Sequence, residues 1–183
     1  MAYRNKLISN PVNGQSIKFL QTTKDTAGEL LEMEASWQPH SHKPADHYHP
    51  FQDEHFRVIT GELMVKMNGQ IKLMKAGDQV HINKNIHHAM WNDSNDVTVV
   101  NWRVFPALNT EYLLETAIGL ANDGKLNKKG MSHTLQIALI GRQYADEFRL
   151  SKPPFLIQKI LFTILRPFAR LAGIESGYKN YID

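Results

Sequence analysis

Nine histidines occur in the 183 residues, and eight of them fall between His40 and His88. Within that stretch ADHYHPFQDEHFRVITG carries His47, His49 and Glu54, and HHAMWN follows with His88 and Asn92. In a strand, residues i and i+2 face the same side, so His47 and His49 can place two imidazoles in one pocket. Glu54, beyond the bend at Pro50, can return a carboxylate to the same place, and His88 adds a third imidazole. Three imidazoles and one carboxylate form a coherent site for one divalent transition metal. The donor set does not choose among iron, manganese, nickel, copper and zinc, because imidazole and carboxylate suit all of them. On a six-coordinate ion, four protein ligands leave about two positions for water, substrate or dioxygen.

Gln52 shares the strand parity of Glu54 and is expected beside the metal as a hydrogen-bond partner of the ligands. The parity argument turns other histidines away: His55 alternates with Glu54, His87 with His88, and His81 with Val80 and Ile82. His40 and His42 line the mouth or are solvated, and His133 opens a helix. Trp37, Phe51, Phe56, Met64, Met90 and Trp102 are expected in the barrel interior, some of them lining the pocket. No Ser/His/Asp arrangement, phosphate-binding glycine loop or nucleotide motif competes with the histidine cluster.

The elements that must hold these residues are short strands. SIKFLQT (16–22), ELLEMEASW (29–37) and EHFRVIT (54–60) have strand length and aromatic or β-branched content, with turn residues between them. MVKM-NG-QIKLM reads as a hairpin whose Asn68-Gly69 supplies the two positive φ angles of a type I′ turn. GDQVHI (77–82) and the apolar run VTVVNWRVF (97–105) follow. Strands at this spacing without intervening helices predict an antiparallel sandwich or barrel. After Pro106 the period changes to helical: EYLLETAIGLAND up to Gly124, then, beyond the loop GKLNKKG, SHTLQIALIGRQYADEF (132–148), then a helix from Pro153 to Ile174 that Pro167 should kink or divide. The organisation expected is a β-barrel over 1–106 and a helical extension over 107–183.

Alone, the His-x-His pair would read as a surface or packing pair. The longer segment resembles the cupin superfamily, whose first motif is G-x5-H-x-H-x3,4-E-x6-G and whose second is G-x5-P-x-G-x2-H-x3-N. His47, His49, Glu54 and Gly61 match the first, with Ser41 in place of its leading glycine. Gly77, His88 and Asn92 match the second, with Asn83 and Asn85 in place of its proline and middle glycine. Asn tolerates a left-handed backbone better than most residues, so Asn85 can replace that glycine. The resemblance implies a mainly β fold, the double-stranded β-helix or jelly roll, here followed by about three C-terminal helices. It also implies a metal held by His47, His49, Glu54 and His88. With a redox metal it implies oxygenase-type chemistry, a dioxygenase-like oxidoreductase acting on a small chelating organic substrate. The alternatives are a non-catalytic cupin that binds or senses a small ligand, and a metal-dependent isomerase.

Composition narrows the partners. Residues 1–105 carry 11 basic and 11 acidic side chains, and 106–183 carry 10 and 7, so the net +3 lies wholly in residues 106–183. That surplus is too small for a nucleic-acid footprint, and the longest basic run is Lys128-Lys129. Cysteine is absent, which excludes disulfides and thiolate ligands and fits a cytoplasmic protein. The opening MAYRNKLISN has no apolar h-region, so no secretory signal is expected. In the last helix Lys159, Thr163, Arg166 and Arg170 fall on one narrow stripe and nearly everything else is apolar. It is too charged for a membrane span. Its apolar surface is expected to be covered by the other helices, the barrel or the second subunit of a homodimer, with peripheral membrane contact as the alternative.

Overall fold

In the computed structural model, residues 1–126 and 132–175 are described; Lys128-Lys129 and most of the loop expected over 124–130 lie outside them. The described residues form strands β1 (Leu7–Ser9), β2 (Ser16–Gln21), β3 (Leu31–Trp37), β4 (His47–Tyr48), β5 (Asp53–Thr60), β6 (Glu62–Met67), β7 (Gln70–Lys75), β8 (Gln79–Ile82), β9 (His88–Trp91) and β10 (Thr98–Phe105). Helices α1 (Thr110–Asn122) and α2 (Thr134–Gln143), the short strand β11 (Arg149–Leu150) and helix α3 (Phe155–Leu171) complete them. The fold is mainly β, a jelly roll of two antiparallel sheets followed by three helices. One sheet has the order β1-β2-β3-β10-β5-β8 and the other β11-β4-β9-β6-β7.

Alternation decides which faces meet. In β3, Leu31, Met33, Ala35 and Trp37 are buried while the residues between them are not. Ile17 and Phe19 do the same in β2, Phe56 and Val58 in β5, and Leu63 and Val65 in β6. These inward residues form one continuous hydrophobic core between the sheets. The apolar run 97–105 becomes β10, flanked on both sides by β3 and β5. Asn68 and Gly69 adopt φ of 47° and 88°, as the hairpin requires. Gly61 (φ 77°) cannot be replaced: a Cβ there would meet Val97 O at 2.7 Å.

The extension departs from expectation in three ways. Pro167 neither divides nor ends α3, which runs unbroken through it for 17 residues. The second helix stops at Gln143, five residues short of the expected end, and the chain from Tyr144 turns back to the barrel. There β11 adds to the edge of the five-stranded sheet, with Arg149 opposite Tyr48 and Leu150 opposite His47. Tertiary pairing overrides a helical periodicity that continues through Phe148. Helices α2 and α3 cross closely at Gly141, where a Cβ would lie 2.6 Å from the Phe162 ring.

The extension is tied to the barrel at further points. Lys6 Nζ pairs with the buried Glu115 of α1 at 2.6 Å, and Asn122 Nδ2 donates to Ser9 O. Buried Glu147 accepts from the backbone and side chain of Asn109. No helix among the described residues is long and apolar enough to cross a membrane.

Candidate metal centre

His47 on β4 and His88 on β9 stand opposite each other in register. His49 follows β4 directly, two residues on from His47, and Glu54 reaches in from β5 in the other sheet. The His47 and His88 rings lie 4.4 Å apart between centroids, and His49 is 5.3 Å from His47 and 5.2 Å from His88. The three imidazoles offer ligand nitrogens within 4.8 Å of one another, a spacing at which they could hold a metal ion.

Hydrogen bonding fixes which nitrogen each ring presents. His47 Nδ1 donates to Ala45 O at 3.1 Å, His49 Nδ1 to Glu147 O at 2.5 Å, and His88 Nδ1 to Ile86 O at 2.9 Å. A carbonyl only accepts, so all three Nδ1 atoms carry a proton. Each neutral ring therefore has its lone pair on Nε2, the arrangement in which an outer hydrogen bond sets the tautomer of a ligating histidine.

Glu54 is held in the same manner. Trp102 Nε1 donates to its Oε1 at 2.9 Å, leaving Oε2 to face the imidazoles. Oε2 lies 3.2 Å from His49 Nε2 and 2.9 Å from His88 Nε2, yet these three buried atoms make no aligned hydrogen bond. Buried polar atoms are rarely left so. Their crowding without mutual alignment is what donors converging on a shared cation look like, so the residues fit a divalent metal.

The electrostatics agree. Burial pushes the His47 imidazole down to about 3, with His88 and His49 adding to the effect. For Glu54, burial alone favours the neutral acid, but His49 and His88 outweigh it and hold the carboxyl well below its usual range. At His49 burial opposes the charge, and the Glu54 carboxylate overcomes it and raises the pKa. A buried carboxylate among imidazoles thus demands one positive charge, supplied by a proton on His49 or by a metal ion.

Residues 33–103 match the model of the cupin domain family. The barrel has the fold of a cupin domain. Nothing among the curated proteins matches the chain. Of solved structures, it is similar to a predicted oxalate decarboxylase from Thermotoga maritima at 20% identity, with a TM-score of 0.50, covering 58% of this chain and 99% of that one. An RmlC-like cupin from Shewanella frigidimarina matches at 19% identity and a TM-score of 0.49 (57% and 86% covered). KdgF from Halomonas sp. matches at 16% and 0.46 (53% and 83%).

The Asn85 departure from the second motif is accommodated as expected. Asn85 takes φ 65° and its backbone N–H donates to His49 O at 2.9 Å, tying the turn before His88 to the histidine segment. Asn92 is a latch: its buried Nδ2 faces the carbonyls of Trp37, Gln38 and Asp96. His55 and His81 face outward, as does His87, whose Nδ1 pairs with Ser151 Oγ at 2.6 Å. His40 Nε2 pairs with Asn95 Oδ1 on the surface, and His133 Nδ1 caps α2 by accepting from Leu135 N.

Gln52 is buried. Its Nε2 lies within 2.8–3.0 Å of Pro106 O, Ala107 O and Thr110 Oγ1, pinning the barrel to the start of α1. Trp37, Phe56 and Met90 are buried as expected and Trp102 partly so; Met64 alternates with the inward Leu63 and Val65 on β6 and is not part of the core, and Phe51 is a further correction. It is 55% exposed, because it precedes β5 outside the barrel, with the Arg149 guanidinium 5.9 Å from its ring.

Two contributors have no counterpart in the motif. Phe148 stacks on His47 at 4.7 Å and 28°, and Glu147 supplies the carbonyl that orients His49. Both belong to the segment between α2 and β11. A backbone carbonyl carries no side-chain identity, and Phe148 sat at the end of a helical pattern, so neither left a signal.

Proposed function

We propose that His47, His49, His88 and Glu54 together hold one divalent transition metal, and that the chain is a metal-dependent oxidoreductase of the dioxygenase-like kind. Its substrate would be a small organic molecule that chelates through two oxygens. The observation carrying this reading is the common orientation of the three rings: every Nδ1 is occupied by a carbonyl, so every Nε2 is free to ligate. When bound, the metal would supply Lewis acidity and a template that brings substrate and dioxygen together.

The chain's own residues do the rest. One carboxylate beside three neutral imidazoles leaves a dication with a net charge of about +1, which favours an anionic or enolate ligand. Trp102 holds Glu54 Oε1, so the other oxygen would be the one to ligate. Phe148 stacks on one face of His47. In this reading residues 1–106 are the metal-binding domain, and 107–183 an extension that completes its wall.

The test is elemental analysis of protein purified without added metal, followed by oxygen uptake on the iron and manganese forms with diketones, catechols and flavonols. A near-stoichiometric transition metal and substrate-dependent uptake are expected. Metal without uptake on any of these would favour a ligand-binding or isomerase role. No metal, even after reconstitution, would overturn the site.

A further inference from the structure

Helix α3 has three faces. Gln158, Phe162 and Ala169 are buried, and Phe162 packs against α2 at Gly141. Lys159, Thr163, Arg166 and Arg170 form an exposed cationic stripe along one flank. The third face is large and apolar: Leu156, Ile157, Ile160, Leu161, Ile164 and Phe168 are all 42–68% exposed. Together they occupy an arc of about 140° at 3.6 residues per turn, along a helix about 25 Å long. Single exposed apolar residues need no explanation, but a contiguous face of this kind marks an interaction site.

Charge selects the occupant. Between Phe148 and Ile174 the chain contains no Asp or Glu, and Lys159, Arg166 and Arg170 make no ion pair with any described residue. A second copy of the chain meeting this one through the same face would bring the same cations and no carboxylate from its α3. A surface that is apolar within and negative at its rim complements both features at once. We infer that α3 docks in the plane of an anionic phospholipid bilayer, its apolar face among the acyl chains and Lys159, Arg166 and Arg170 at the headgroups. A helix with a broad apolar face and cations along its edge binds an interface in this way, and the long basic side chains reach the headgroups from a buried stem. The helix lies on the bilayer and does not cross it, in keeping with its length and charge.

The experiment is cosedimentation of the full-length chain with vesicles of phosphatidylcholine alone and of phosphatidylcholine containing about 30% phosphatidylserine, at low and high salt. Pelleting with the anionic vesicles is expected, stronger than with the neutral ones by roughly a hundredfold in partition for three cations at low salt. The preference should shrink at high salt. The double variant Ile160→Glu, Ile164→Glu should abolish pelleting while metal content and circular dichroism stay unchanged, since both side chains are more than half exposed. The variant Arg166→Gln, Arg170→Gln keeps the apolar face and should lose most of the anionic preference. Failure of the unaltered chain to pellet, or equal pelleting of the Ile variant, would overturn the proposal. So would a dimer in sedimentation equilibrium that the Ile variant disperses without any vesicle binding, which would make the face a contact between copies.

Discussion

The two ends of the candidate site are built by different means. On the barrel side, His47, His49, Glu54 and His88 are strand or strand-edge residues whose direction follows from alternation, and their outer partners lie close by, Trp102 on β10 and Ala45 and Ile86 two residues ahead of β4 and β9. On the extension side, the contributors are a carbonyl at Glu147 and a ring at Phe148, placed by a turn that ends α2 early. The same extension leaves one face of α3 exposed. The difference teaches that alternation in a sheet fixes which side chains meet, whereas a helical segment packed from outside contributes by where its backbone happens to land.

Substitutions can break that comparison at either end. The largest effect is expected for His88→Ala, which removes a ligating nitrogen and should lower metal affinity by more than about a hundredfold, beyond the range of outer-partner losses. His87→Ala, one residue away and facing outward, is the control. Metal content by elemental analysis checks the pair, and equal loss in both would mean that the facing of β9 has been misassigned. Trp102→Phe keeps the ring in the core but removes the donor to Glu54, and metal affinity should fall by about ten- to a hundredfold with the fold retained by circular dichroism.

Gln52→Leu probes the joint between the two regions. It leaves the carbonyls of Pro106 and Ala107 without their amide partner, and denaturant unfolding should show a loss of about 1–3 kcal/mol. The smallest effect should come from Phe148→Ala, about 0.5–1.5 kcal/mol for the lost ring contact. Its signature would be faster exchange of the bound metal into a chelator, since His47 loses its cover. If Phe148→Ala leaves chelator kinetics unchanged, the extension is a neighbour of the site and not part of its wall.

The sequence made the barrel side legible for a physical reason. Positions such as Leu31–Trp37 alternate cleanly because one face is core and the other is not, and Asn68-Gly69 can hardly be anything but a tight turn. His47, His49 and Glu54 are legible as rare chemistry at short spacing, whereas His88, 34 positions beyond Glu54, is picked out by the resemblance to the second cupin motif. Other features carried no such mark. Strand β9 reads HAMW, buried throughout, so it shows no alternation. Strands β1 and β11 span three and two residues, too short for any period. The end of α2 is decided by Glu147 reaching Asn109 and by β11 finding β4, contacts between residues far apart in the chain. Phe51 shows the converse failure, an aromatic assigned to the interior by type alone.

The bond from His49 to Glu147 spans 98 positions, and this has a bearing on the order of assembly. Chains are synthesised from the N-terminus and their first-made domains fold first, so the strands carrying all four histidine and glutamate donors exist before the carbonyl that orients His49 does. Contacts of such separation also form late, because a long loop must close first. In a barrel made in that order, one imidazole lacks the carbonyl that orients it until Glu147 is in place. Metal captured then would be sealed in when the last third of the chain arrives.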